Sequence, residues 1–109
     1  MYNTLDRHAG MHELRPDFLS QKSFYGKARY ASVPQKDGGM TFILMSYDTL
    51  VAAITEHPGQ EEPTVELHNV ALYSSTTVKH VREFLRQGCG LPNLTKAQIL
   101  RKFPETVAE

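Results

Sequence analysis

Five histidines, one cysteine and twelve carboxylates are the groups in this 109-residue chain that could hold a metal, attack a carbonyl or move a proton. His8 and His12 stand four apart, a spacing that would put two imidazoles on one helical face as metal ligands. The expected third ligand does not follow, and Gly10 interrupts the pair, so the pair is read as part of a mobile tail. His57 precedes a proline, His68 falls in a strand pattern, and His80 falls on the polar side of a helical one. None lies near a serine or cysteine in a pattern that activates a nucleophile. Cys89 sits between Gly88 and Gly90 at the end of a helical pattern. The partial negative charge of a helix C-terminus raises a thiol pKa there, which leaves the sulfur unreactive. Gly38-Gly39 lacks the lysine and the strand-to-helix setting of a phosphate loop. The chain is therefore expected to have no catalytic residue, metal site or cofactor, and not to be an enzyme.

Binding chemistry has better candidates. Tyr25, Lys27 and Arg29 share one face of a strand pattern, where a ring beside two cations could stack on bases and meet phosphates. Lys79, Arg82 and Arg86 follow one another at spacings of three and four along a helix, with His80 beside them, so three cations could line one edge. Tyr47, in a reversal, is another side chain that packing does not require. The competing reading makes these ordinary solvated faces, with lysine and arginine stems covering the tyrosine. Charge is divided along the chain. Asp37, Asp48, Glu56, Glu61, Glu62 and Glu66 stand without a cation between residues 37 and 68. Lys79, Arg82, Arg86, Lys96, Arg101 and Lys102 follow, opposed only by Glu83. Either the two regions pack together and neutralise, or the basic one faces an anionic partner. The formal net charge of zero counts against nucleic acid, whose binding domains are mostly basic.

These side chains need a scaffold, and the pattern supplies one. Ser23 to Val33 alternates with period two, Met40 to Met45 is an apolar run, Leu50 to Thr55 follows a reversal at Tyr47-Asp48, and a fourth segment spans Thr64 to Leu72. Asp37-Gly38-Gly39 supplies the positive φ values of a tight turn. The phase of the fourth segment slips near His68-Asn69, which suggests a bulge or bend. The period then becomes helical: Ser74 or Ser75 caps a helix with Val78, Val81, Phe84 and Leu85 on its apolar face, ended by Gly88. Thr95 opens a second helix in a capping-box pattern, and Pro104 stops it. The expected fold is α+β, an antiparallel four-stranded meander followed by two C-terminal helices, the first packed on one sheet face. Residues 1–22 are expected as a mobile or irregular lead-in, and 23–109 as a single domain.

The apolar run at Met40–Met45 is far shorter than the roughly 20 residues of a membrane span. The first ten residues lack the apolar stretch of a secretory signal. One cysteine allows no internal disulfide, and a reducing cytoplasm is the expected setting. Association of copies through an edge strand is a further reading of the meander.

Three segments resemble a family of small proteins and domains from bacteriophages, prophages and gut Firmicutes: Ser23–Ala28 (SFYGKA), Ser46–Ala52 (SYDTLVA) and Tyr73–Gln87 (YSSTTVKHVREFLRQ). Members typically read S-F-Y-G-K-A, then S-Y-[ND]-T-x-V-A, then Y-S-x-T-T-x-[RK]-H-[IV]-[RK]-E-F-L. The resemblance spans residues 23 to 87 and implies an accessory protein of a mobile element in the bacterial cytoplasm. Small non-enzymatic proteins of that setting often inhibit host defence, and anti-CRISPR proteins are one such class. The leading expectation is a protein-binding module whose partner is a host or phage protein. The alternative is a nucleic-acid-binding accessory protein using the basic helix edge and the Tyr25, Lys27, Arg29 face.

Overall fold

The computed structural model describes residues 3–16, 24, 26–92 and 94–103. Five strands form one antiparallel sheet in the order of the chain: β1 (Gly10–Glu13), β2 (Ala28–Pro34), β3 (Met40–Ser46), β4 (Thr49–Glu56) and β5 (Thr64–Leu67). Two helices follow, α1 (Ser75–Cys89) and α2 (Lys96–Lys102). The α+β class and the order of strands before helices are as the periodicity predicts, but the sheet has five strands rather than four. The strand beyond the meander is β1, which pairs with β2 from Gly10↔Ser32 to Glu13↔Arg29. It is four residues long, opens on a glycine and turns His12 toward the buried side. Neither length nor hydrophobicity announces it.

β2 and β3 alternate because one face is covered and the other is not, whereas β4 buries four residues in succession, Val51 to Ile54. Ala28, Tyr30 and Ser32 of β2, Phe42, Leu44 and Ser46 of β3, and Ala52 and Ile54 of β4 turn toward the helices and are buried. The apolar ones among them join Val81, Phe84 and Leu85 of α1 and Ile99 of α2 in one cluster. α1 crosses β3 and β4. Its Gly88 lets helix and sheet approach closely: a Cβ at that position would lie 2.5 Å from Cδ1 of Ile54, whose side chain would have to shift.

The helix ends follow from local chemistry. Ser74 caps α1, its hydroxyl accepting from the Thr77 N–H at 3.1 Å. The helix runs through Gly88 and stops at Gly90, whose φ of 71° only glycine adopts cheaply. Thr95 and Gln98 form the reciprocal capping box of α2. The expected fourth strand is shorter than its apolar pattern: β5 ends at Leu67, Asn69 takes a φ of 55°, and residues 70–72 make one 3-10 turn. The phase slip at His68-Asn69 is that departure from the sheet.

The segment before β1 is tied down at several points. Leu5 is 3% exposed, the Thr4 N–H donates to the Gln87 carbonyl at 2.8 Å, and the Asp6 N–H donates to the Tyr30 hydroxyl at 2.8 Å. Arg7 donates to Glu56 at 2.5 Å and Asn3 to the same carboxylate at 2.8 Å. The Arg7 hydrogen bond, helped by Asn3, holds the Glu56 carboxyl below the usual carboxylate range against the opposing effect of burial. A carboxyl with a depressed folded pKa stabilises above its unfolded value, and that contribution disappears as pH falls through the folded value. Arg7→Ala is therefore expected to raise the Glu56 midpoint in a carboxyl-carbon NMR titration. It should also cost more stability at neutral pH than in strong acid. An unchanged midpoint would mean that the pair does not persist in solution.

Candidate functional site

The three segments that carry the family resemblance meet at one corner of the molecule. The β3–β4 connection is a two-residue turn, Tyr47-Asp48, between the paired residues Ser46 and Thr49. Both turn residues have positive φ, 52° and 72°. Such a turn favours Asn-Gly, and a bulky aromatic residue in this region is strained by roughly 1 kcal/mol or more. The surroundings hold it there. The Tyr47 N–H donates to the Lys27 carbonyl at 2.9 Å, and the Lys27 N–H donates in turn to the Phe24 carbonyl at 2.9 Å. Tyr47 is 50% exposed, an uncommon position for so large an apolar ring in this chain.

Beneath the turn lies a buried polar cluster. The Ser46 hydroxyl is 2.8 Å from Nδ1 of His80 and 2.9 Å from the Thr77 hydroxyl, which is in turn 3.2 Å from that of Ser74. The His80 ring meets Phe24 edge-on at 4.8 Å between centroids and Tyr47 at 5.8 Å. The imidazole of the third segment therefore meets Phe24 of the first and both Ser46 and Tyr47 of the second. His80 is 0% exposed, so its place on the polar side of the helix is corrected: it points into the sheet. The N-terminal part of α1 buries two polar residues, Thr77 and His80, and hydrophobicity alone assigned the second of them to solvent. Ser46 and His80 are the hydroxyl and imidazole that spacing gave no sign of, being 34 residues apart. At 2% and 0% exposed, they cannot be reached by a substrate from outside.

The other expected binding residues are distributed differently. Tyr25 lies outside the described residues. Lys27 and Lys79 are exposed, and Arg82 is partly so. Arg29 turns to the helix-free face of the sheet and makes an ion pair with Asp48. Arg86 pairs with Glu83, which is 1% exposed. Gln87 donates to the same Glu83 carboxylate at 2.6 Å and to the Arg15 carbonyl at 2.7 Å. The cation edge of α1 is thus broken: its last arginine belongs to a buried network that fastens the N-terminal segment to the helix. Two carboxylates of the acidic middle are paired with arginines of the N-terminal third instead of the basic end, Asp48 with Arg29 and Glu56 with Arg7.

His8 faces Asp6 at 2.9 Å and Nε2 of His12 meets the His8 carbonyl at 2.7 Å. No group of three or more potential ligand side chains gathers among the described residues. Burial, followed by the nearby Glu56, pushes the Cys89 thiol up to about 11, consistent with an unreactive sulfur. The groove beside it, about 350 Å³ and lined in part by Asn3, Glu56, His57 and Glu61, lies at the C-terminal end of α1 and does not include the Tyr47 corner. No helix among the described residues is long and apolar enough to cross a membrane.

A model described as a family of unknown function, DUF8033, matches residues 12–101. Neither the curated proteins nor the solved structures contain a match.

Proposed function

The chain belongs to this family of unknown function, and we propose that it is a non-enzymatic protein-binding module whose contact centre is the Tyr47 corner. The observation that carries the reading is a half-exposed tyrosine on left-handed backbone, supported from below by a buried Ser46–His80–Thr77 cluster. Strain of that kind persists only where its surroundings impose it, and it collects at contact sites. Tyrosine is also enriched among the residues that dominate binding energy, because it offers large rigid area with a polar tip. Exposed Lys27 belongs to the same corner, and exposed Lys79 neighbours His80 on α1.

A protein partner is favoured over nucleic acid because Arg29 and Arg86 each already face a carboxylate. Phosphate contacts would have to compete with those pairs. The resemblance of the three segments to phage and prophage proteins supports an accessory role in the bacterial cytoplasm, with a host or phage protein as partner. Inhibition of a host defence system is the role that setting favours.

Tyr47→Asn tests the assignment. Asparagine tolerates the left-handed region, so the turn survives while the ring is lost. The immobilised wild-type chain is expected to retain a bacterial or phage protein from lysate. Tyr47→Asn should weaken that complex by about 30-fold or more, the loss of a binding hot spot. Equal retention by both chains, with equal thermal melts, would remove Tyr47 from the contact.

A further inference from the structure

A net charge of zero hides a division of charge between the two ends of the sheet. Successive strands run in opposite directions, so the β3–β4 turn at Tyr47-Asp48 shares one end with the start of β2, where Ala28 pairs with Ser46. The β2–β3 and β4–β5 connections share the other end. Exposed Asp37, Glu61 and Glu62 belong to that far end, against Lys36 and, across a shared groove, Lys102. The Tyr47 end is basic. Lys27 is exposed there, and its carbonyl accepts from the Tyr47 N–H at 2.9 Å. Lys79 is exposed beside His80, whose ring meets that of Tyr47 at 5.8 Å. The carboxylates of this end are already engaged, Asp48 with Arg29 and Glu13 with the Gly26 N–H at 3.1 Å.

Arg82 adds an observation of a different kind. Arg7, Arg15, Arg29 and Arg86 each face a carboxylate. Arg82, three residues past Lys79 on α1, makes no such pair among the described residues, and its Nε is buried without a hydrogen-bond partner there. A partly buried guanidinium in that state gains from an anionic acceptor on its outer nitrogens.

We propose that the partner meets the Tyr47 corner with a carboxylate-rich protein surface. Its carboxylates face Lys27, Lys79 and Arg82, while an apolar group of the same surface packs on the Tyr47 ring. The proposal rests on the Tyr47 corner being the contact centre and adds the chemistry of what it contacts. Opposite charge steers such an encounter and fixes its register more than it adds affinity. A nucleic-acid strand is a poorer match, because its backbone needs a continuous basic track. The far end of this sheet presents carboxylates in place of one.

A short oligoglutamate peptide carrying one phenylalanine serves as the probe, followed through the amide and ring NMR signals of the full chain. The signals of Tyr47, Lys79 and Arg82 are expected to shift together, with a dissociation constant on the order of millimolar for so small a ligand. Added salt should weaken the binding, since exposed charges are screened. Lys27→Glu/Lys79→Glu, altered at two exposed positions, should weaken it about tenfold or more through like-charge repulsion. Arg82→Gln gives a second disruption should that variant fail to fold, and Arg101→Glu on α2 should bind as the wild type does. Silence at the three signals would overturn the proposal, as would shifts confined to Arg101 and Lys102. So would undiminished binding by Lys27→Glu/Lys79→Glu, or an oligothymidylate of equal length binding as tightly at the same signals. Retention of a partner from lysate separates this proposal from the reading beneath it. A partner lost by Tyr47→Asn but kept in full by Lys27→Glu/Lys79→Glu would leave the contact centre standing and remove its acidic partner. Equal retention by both variants and the wild type would overturn both.

Discussion

Glu83→Ala is expected to lower the unfolding free energy by about 3 kcal/mol, because removing one member of a buried ion pair leaves the other charge poorly compensated. Glu83 is 1% exposed, pairs with Arg86 and accepts from Gln87 at 2.6 Å. The Arg86 side chain is only 22% exposed, so water cannot fully replace the lost carboxylate. Gln87 would keep its bond to the Arg15 carbonyl but lose the acceptor that orients it. For a domain of this size the melting temperature should fall by roughly 12–24 °C. Glu83→Gln separates charge from shape: it retains an acceptor for Gln87 and should cost about half as much. Burial also means that salt screens the pair weakly, so raising ionic strength should not reproduce the effect. A melt of Glu83→Ala within a few degrees of wild type would show that Arg86 finds equivalent partners without it.

That network also explains where the sequence was legible and where it was not. Period-two alternation from Ala28 to Val33, the apolar run at Met40–Met45 and the helical spacing of Val81, Phe84 and Leu85 each encode burial directly, so the meander and α1 could be read. The caps at Ser74 and Thr95 were equally legible, because their oxygens act on residues three positions away. Strand β1 was not. It owes its place to pairing with β2 and to anchors such as Thr4 on Gln87, 83 residues distant, and no local period records such contacts. The candidate site was half legible. Tyr47 and Lys27 stood out as residues the core does not need. His80 and Arg86 were taken as surface because they are polar, yet each is satisfied inside by a partner, Ser46 and Glu83 respectively. Hydrophobic patterning identifies what water rejects, and it misses polar groups that the fold pairs in its interior.

His80 unites both lessons, and His80→Ala is the second large effect. The substitution empties a site that is 0% exposed, withdraws the ring from Phe24 and Tyr47, and leaves the Ser46 hydroxyl short of a partner. A cavity together with an underused buried hydroxyl should cost about 3 kcal/mol. His80→Asn can place an amide near the position of Nδ1 and keep the bond to Ser46, so it should recover part of that loss without restoring the ring contacts. The two variants then diverge from a purely structural role in a way that can be measured. If His80 positions Tyr47, the Tyr47 ring resonances should shift and broaden in both variants, and partner retention should fall in both at temperatures where each remains folded. Recovery of stability in His80→Asn without recovery of binding would locate the effect in the ring that supports Tyr47. Unchanged Tyr47 resonances in the folded His80→Ala chain would leave the imidazole as a core residue only, with the left-handed turn held by its backbone bond to Lys27, the Ser46–Thr49 pairing and the Arg29–Asp48 ion pair.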